Sequence, residues 1–263
     1  MTAVDAAPEA LLRTVALTKY YPTLKGERVF ALAETSLELA DGEFVSVVGP
    51  SGCGKSTLMK LIAGIIPRSS GEIIYRGEPV TRAQSGVGVV FQTPVLLPWL
   101  TVLDNVLLPI KVLRGDRRAA DVRARQLLAQ VGLEGFEQKY PGELSGGMQQ
   151  RASIVRSLVH DPKVLLMDEP FGALDALTRE RMSIELQRLW LADRKTLFFI
   201  THSIPESVYL SDRVLVMSPR PGRIIKEFRI PFARPRDLDL TATSEFGAYV
   251  SEIRHLLGAK ADV

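Results

Sequence analysis

The run Gly49-Pro50-Ser51-Gly52-Cys53-Gly54-Lys55-Ser56 fits the pattern G-x-x-x-x-G-K-S/T, between an apolar stretch, Phe44–Val48, and a helical one. Glycines so placed let backbone N–H groups face an anion without obstruction by Cβ. The lysine then reaches the β- and γ-phosphates of a nucleotide, and the following hydroxyl ligates Mg²⁺. A second phosphate surface lies in Leu144-Ser145-Gly146-Gly147-Met148-Gln149-Gln150-Arg151. Ser145 can cap the helix that follows, and Gly146 and Gly147 leave its first N–H groups uncovered, which makes an anion site. Two phosphate-reading surfaces in one chain suggest one nucleotide held between two copies of it.

The acidic groups for such chemistry stand at the end of an apolar strand, Val164-Leu165-Leu166-Met167-Asp168-Glu169-Pro170. Behind a phosphate loop, the first acid holds Mg²⁺, and the second can act as general base on an attacking water. A carboxylate pair capping the next helix is the competing reading. His202 follows the apolar strand 197–200, where a lone histidine ordinarily packs or caps. Gln92, after strand 87–91, reads by itself as a polar strand end. Cys53 has two readings: a small packing residue, or a thiol whose pKa is lowered beside a helix start.

The elements that must position these groups can be read from periodicity. Residues 12–17 and 29–39 predict antiparallel strands, and Asp41-Gly42 turns the chain into the buried strand 43–48. A helix over 56–63 and strands over 72–75 and 86–91 follow. Helical spacing then predicts Val102–Leu113, 117–131 and 146–159, with Gly115 and Gly132 as stops. From Lys163 strand and helix alternate: 164–167, 176–191, Thr196–Ile200, 205–210 and 214–217. This alternation implies an α/β chain with a mostly parallel sheet, into which a helical lobe, about 93–161, is inserted. Residues 1–11 predict a disordered lead-in. Residues 231–263 predict a polar C-terminal extension with a helix at 245–257, in which Arg234-Pro235-Arg236 reads as a charged surface turn.

With 33 basic and 30 acidic residues, the formal charge of +3 is no footprint of nucleic-acid binding. The apolar runs are too short to span a bilayer, so a soluble, cytoplasmic chain is expected, with any membrane role acting through a partner. The single cysteine rules out an internal disulfide and a cysteine metal cluster.

Taken together and in order, these elements resemble the ATP-binding-cassette (ABC) ATPases, over roughly residues 12–229. The resemblance implies a P-loop NTPase (RecA-like) core over 12–230, with an N-terminal antiparallel β subdomain and the inserted α-helical subdomain. It makes Gly49, Pro50, Ser51, Gly52, Cys53, Gly54, Lys55, Ser56 and Thr57 the Walker A loop, Gln92 the Q-loop glutamine, and residues 144–149 the signature. Residues 164–169 resemble Walker B, Ala173-Leu174-Asp175 the D-loop, and His202 the switch histidine. Tyr21, beside Tyr20, lies where the family stacks an aromatic ring on adenine. Met148 departs from the glutamine that many members carry.

The implied chemistry is hydrolysis of ATP with Mg²⁺ in a homodimer. Lys55 holds phosphates, while Ser56, Gln92 and Asp168 organise Mg²⁺. Glu169 polarises water, and His202 holds the γ-phosphate. Ser145, Gly146 and Gly147 of one copy close the site of the other, and Asp175 links the two sites. The segment Phe91-Gln92-Thr93-Pro94-Val95-Leu96-Leu97-Pro98-Trp99-Leu100-Thr101-Val102 resembles the ATPases of nitrate, sulfonate and taurine importers, as does Ser218-Pro219-Arg220-Pro221-Gly222-Arg223. That group implies a peripheral subunit on the cytoplasmic face of the inner membrane, powering uptake of a small, anionic solute. Its partners would be a permease, whose coupling helix meets Leu97, Pro98, Trp99 and Leu100, and a separate solute-binding protein. Trp99 packed under the helical lobe is the competing reading. The alternatives in function are an exporter or lipid-transport ATPase, or a soluble ABC ATPase outside transport.

Overall fold

The β-branched and apolar alternation of the N-terminal region forms two 13-residue strands in the computed structural model, which describes residues 10–23 and 27–258. The elements in chain order are β1 (Ala10–Pro22), β2 (Arg28–Ala40), β3 (Phe44–Val48), α1 (Lys55–Ile62), β4 (Ser70–Tyr75), β5 (Glu78–Pro79), β6 (Val87–Val90), α2 (Val102–Leu113) and α3 (Arg117–Gln130). They continue with α4 (Gly146–Leu158), β7 (Val164–Asp168), α5 (Ala176–Asp193), β8 (Thr196–Ile200), α6 (Ile204–Leu210), β9 (Arg213–Met217), β10 (Ile224–Arg229) and α7 (Ser244–Gly258). Of the lead-in expected over 1–11, residues 1–9 lie outside those described, and Ala10 and Leu11 open β1.

The chain divides into two compact units, Met1–Gln84 with Arg194–Val263, and Ser85–Asp193. The first contains an antiparallel sheet in the order β2-β1-β4-β5. It also contains β3 paired in parallel with β8 on one side and β9 on the other, with β10 antiparallel on β9. All residues of β3 and β8 are buried, as expected of parallel strands covered on both faces. Ser46 is buried with them and satisfies its hydroxyl on that of the equally buried Ser211. At the start of β9, Arg213 donates to both oxygens of Glu43 (3.1 and 2.9 Å) and to Glu227. Those bonds hold the Glu227 carboxyl below its ordinary pKa.

The second unit pairs β6 in parallel with β7, from Val87 opposite Val164 to Val90 opposite Met167. The helices α2, α3 and α4 lie between these strands in the chain, and α5 follows β7. Thr101 begins α2 by accepting from Asp104 N at 3.1 Å, and Arg114 ends it in the left-handed conformation.

Two parts of the chain differ from expectation. Residues 224–229 form β10, which carries only one fully buried side chain, Phe228, so its pattern is too weakly apolar to announce a strand. The turn Arg234-Pro235-Arg236 is not a solvated surface feature: Arg236 is 4% exposed, and the Arg234 side chain 7%. A helix leaves its last four carbonyls without intrahelical partners. At the end of α6 these four are filled by arginine. Arg236 Nη1 donates to Val208 O (3.0 Å), Tyr209 O (2.9 Å) and Ser211 O (2.8 Å), and Arg234 Nη2 to Leu210 O (2.6 Å). The cations also meet the negative end of the helix dipole. Burial, with Arg234 nearby, lowers the Arg236 pKa to about 10, which leaves it charged at neutral pH. Behind the clamp, α7 buries Phe246, Val250 and Ile253, one helical face, and Phe232 packs on Phe246 and Tyr249.

Candidate functional site

In the first unit β3 ends at Val48 and α1 begins at Lys55, so residues 49–54 form the loop between a buried strand and a helix start. Gly54, the N-cap, has φ +113°, and a Cβ there would lie 2.6 Å from Ala31 O. Only glycine meets both conditions. Ser51 and Gly52 are exposed, and no acid stands in the first turn of α1. The Lys55 side chain is buried and curls over the loop, its Nζ donating to Gly49 O (2.8 Å) and Pro50 O (3.1 Å). A cation on the inner rim, open amides at the tip and a helix dipole together fit a polyphosphate. Ser56 and Thr57 are half-buried on the first turn behind it.

Cys53 is buried in this loop, its Sγ 4.0 Å from Lys55 Nζ. Burial pushes its thiol pKa up, against the smaller opposite pull of Lys55. The packing reading of Cys53 therefore holds, and the lowered pKa expected beside the helix start does not.

A neighbour of the loop that its own sequence does not announce is the turn between β9 and β10. A Cβ on Gly222 would lie 1.9 Å from Cys53 O, and Gly222 is fixed there by Ala33 N donating to its carbonyl at 2.9 Å. Ser218 closes the turn, accepting from Arg223 N at 3.1 Å. Residues 218–223, marked in the sequence only by resemblance, thus buttress the phosphate loop from below. Gly222→Ala must push the loop backbone aside, an overpacking cost of about 1–3 kcal/mol. The expected result is nucleotide binding weakened by roughly tenfold, read by fluorescent-nucleotide titration. Unchanged affinity would mean the buttress is dispensable.

His202 is exposed between β8 and α6. It does not cap α6; Ser203 does, accepting from Glu206 N at 3.3 Å. Thr201, on the other side of His202, accepts from Ser203 N at 3.0 Å and donates to Glu206 Oε2. Of the two tyrosines on β1, Tyr20 lies against Phe30 and the Arg28 guanidinium (4.6 Å), whereas Tyr21 is 40% exposed with Lys19 Nζ 4.9 Å from its ring centre.

In the second unit the parallel pairing of β6 and β7 brings Gln92 to Glu169, and Gln92 Nε2 donates to Glu169 Oε2 at 2.9 Å. Two residues 77 apart in the chain thereby form one polar contact. Asp168, the last residue of β7, is 5% exposed. Glu169 has φ +47°, a left-handed conformation that is uncommon for a residue with a side chain and is found where function holds a strained backbone. The pair does not cap α5. Asp175 does, accepting from Thr178 N at 2.9 Å, and that hydrogen bonding holds its carboxyl below the ordinary range. Among the described residues no three His, Cys, Asp or Glu side chains gather as a metal cage. Within this unit an aspartate carboxylate and a glutamine amide oxygen are donors of the kind that suit Mg²⁺, which takes few protein ligands and completes its shell with phosphate oxygens and water.

In the octapeptide the cap forms as the residue type predicts. Ser145 is the N-cap of α4 and accepts from Met148 N at 3.3 Å; Ser145 and Gly146 are exposed. A Cβ on Gly147 would lie 2.9 Å from Leu174 Cδ2, so Asp175's own loop abuts this helix start. Gln150 Nε2 donates to Phe91 O at 3.0 Å, tying α4 to the end of β6 beside Gln92.

The segment after Gln92 depends on a buried residue that sequence reasoning missed. Asn105, fully buried on α2, accepts from Leu97 N (2.7 Å) and donates to the carbonyls of Leu97, Leu100 and Thr101, each at 3.0 Å. The backbone around this amide projects Pro98 and Trp99 outward, and Trp99 is 68% exposed. Leu97 and Leu100, expected on the surface, are half-buried because their backbone is drawn in to Asn105.

The family model described as "ABC transporter" matches residues 32–172, more than half of the chain and including residues 49–57, Gln92, Ser145 and Glu169. The chain belongs to the ABC transporter family. Among similar proteins, the taurine import ATP-binding protein TauB of Rhizobium johnstonii is 45% identical over 249 residues, 93% of this chain and 95% of its own length. The aliphatic sulfonates import ATP-binding protein SsuB of Bacillus cereus is 44% identical over 223 residues, 84% of this chain and 87% of its own. The bacterial ABC transporter cassette MJ0796, solved as a dimer, superposes with a TM-score of 0.77 at 32% identity, covering 84% of this chain and all of that one. It has also been solved in a post-hydrolysis state bound to ADP and Pi. The fold is that of a P-loop NTPase, and this ABC cassette is an ATPase. No helix among the described residues is long and apolar enough to cross a membrane.

Proposed function

We propose that this cassette is the ATP-hydrolysing subunit of a bacterial importer for a small, anionic solute of the sulfonate, taurine or nitrate type. The observation that carries the reading is the match to two import ATPases along 93% and 84% of the chain. In this reading the protein works as a homodimer, peripheral on the cytoplasmic face of the membrane. It sits beneath a permease whose coupling helix docks near residues 97–100, and a separate binding protein delivers the solute.

The site residues then take these roles. The amides of residues 49–57 and the Lys55 ammonium bind the phosphates of ATP, and Tyr21 supports the adenine. Ser56, Gln92 and Asp168 would hold Mg²⁺, which when bound would neutralise charge on the nucleotide's phosphates. Glu169 takes the proton of the attacking water, and the Gln92 amide keeps its carboxylate in place. His202 contacts the γ-phosphate. Residues 145–147 complete the site of the second copy, and Asp175 sits where the two copies meet. Catalysis rests on positioning and electrostatics, as phosphoryl transfer requires.

The test is co-purification. The native protein, expressed with a candidate importer permease from the same organism, should leave the membrane in detergent as a complex. Trp99→Ala removes an exposed aromatic anchor and should weaken that complex by roughly tenfold or more, with ATP affinity of the soluble protein unchanged. A complex of unaltered stability would count against the exposed Pro98-Trp99 segment as the docking site, and no complex at all against import.

A further inference from the structure

The helix α6 is seven residues long, about 10 Å, and it joins the loop bearing His202 to the clamp described above. We infer that Arg236, with Arg234, is a positioning residue for His202: the C-terminal extension sets where the exposed histidine stands by fixing the far end of α6. The inference rests on His202 contacting the γ-phosphate, as proposed above.

Three observations carry it. The first turn of α6 is tied to both neighbours of His202, since Glu206 binds Thr201 through its side chain and Ser203 through its amide. A shift of α6 therefore moves the loop bearing the imidazole. The open end of the last turn is held from outside the helix, because its four terminal carbonyls are filled by the two arginines. The clamp is itself anchored: Tyr209 Oη donates to Arg236 O at 2.9 Å, and Arg236 Nη2 and Nε donate to Phe232 O at 3.1 and 3.2 Å. Phe232 in turn packs on Phe246 and Tyr249 of α7, so the clamp is set by the docked extension. Displacements near 1 Å in a positioned group can cost about a hundredfold in rate.

The experiment measures equilibrium affinities of the full-length protein for ATP and for ADP at low protein concentration. His202→Ala should reduce the preference for ATP by about tenfold, the worth of one hydrogen bond to a charged group. Arg236→Met should reduce that preference by about threefold or more, leave ADP affinity unchanged, and add nothing in the His202→Ala background. Arg236→Lys should fall between, because a lysine lacks the planar fork that spans several carbonyls. If Arg236→Met weakens ATP and ADP equally, or adds its full effect to His202→Ala, the residue only stabilises the fold and the inference is overturned. If His202→Ala lowers the preference and Arg236→Met does not, the inference fails while the role of His202 stands. If His202→Ala itself has no effect, the role proposed for His202 fails first. Should Arg236→Met not fold, Tyr209→Phe removes only the hydroxyl donating to Arg236 O and is measured the same way, with the same outcomes decisive.

Discussion

Glu169→Gln is expected to retain ATP binding and to lose turnover by roughly a hundredfold or more, the usual worth of a general base. The two side chains have nearly the same shape, and a glutamine oxygen can still accept from Gln92 Nε2, the 2.9 Å contact that holds residue 169. Backbone strain at φ +47° is also unchanged, because neither side chain is better suited to the left-handed region. What disappears is the ability to take a proton. The loss should therefore fall on kcat, with affinity for ATP close to that of the native protein, as for an interaction needed only in the transition state. Phosphate release and equilibrium nucleotide binding, measured on the same preparation, check it. Gln92→Ala is the companion: it removes the support and a proposed Mg²⁺ ligand but leaves the base, so some turnover should remain. Full turnover in Glu169→Gln would dismiss Glu169 as the base.

These groups differ in how far the sequence revealed them, and the difference is physical. The phosphate loop, the acidic strand end and the octapeptide are local: each needs a particular residue type beside a strand end or helix start, and spacing records that. Helix α2 runs over the predicted residues, since Thr101 as cap and Gly115 as stop lie at its ends. Gln92 and His202 gained meaning only from resemblance, because nothing in their immediate neighbours marks a strand end as functional. The structural roles of Asn105, Gly222 and Arg236 were missed for a further reason. Each serves backbone atoms that carry no sequence signal: carbonyls of residues 97–101, Cys53 O, and the open end of α6. The signal that could have found Arg236 is a short helix, 204–210, ending without a glycine cap and with no cation in its last turn. The cation came from 25 or more residues downstream.

Ser145→Arg should keep ATP on residues 49–57 and abolish hydrolysis, if each site is completed by the helix start of a second copy. Arginine removes two things. It has no acceptor for Met148 N, which costs the cap, about 1 kcal/mol. It also lays a long side chain over the amides of Gly146 and Gly147, which must stay bare to approach an anion. Ser145→Ala isolates the first term and should retain much of the activity. The stronger test mixes two inactive proteins. In a two-fold dimer of the proposed kind each site would take Glu169 from one copy and Ser145 from the other. A Ser145→Arg subunit paired with a Glu169→Gln subunit therefore contains one site with both groups native and one with both altered. Mixed dimers should release phosphate in a single-turnover assay, at about half the native burst per dimer, although neither variant does so alone. If both groups served a site within one chain, every site in the mixture would carry one defect, and mixing would restore nothing.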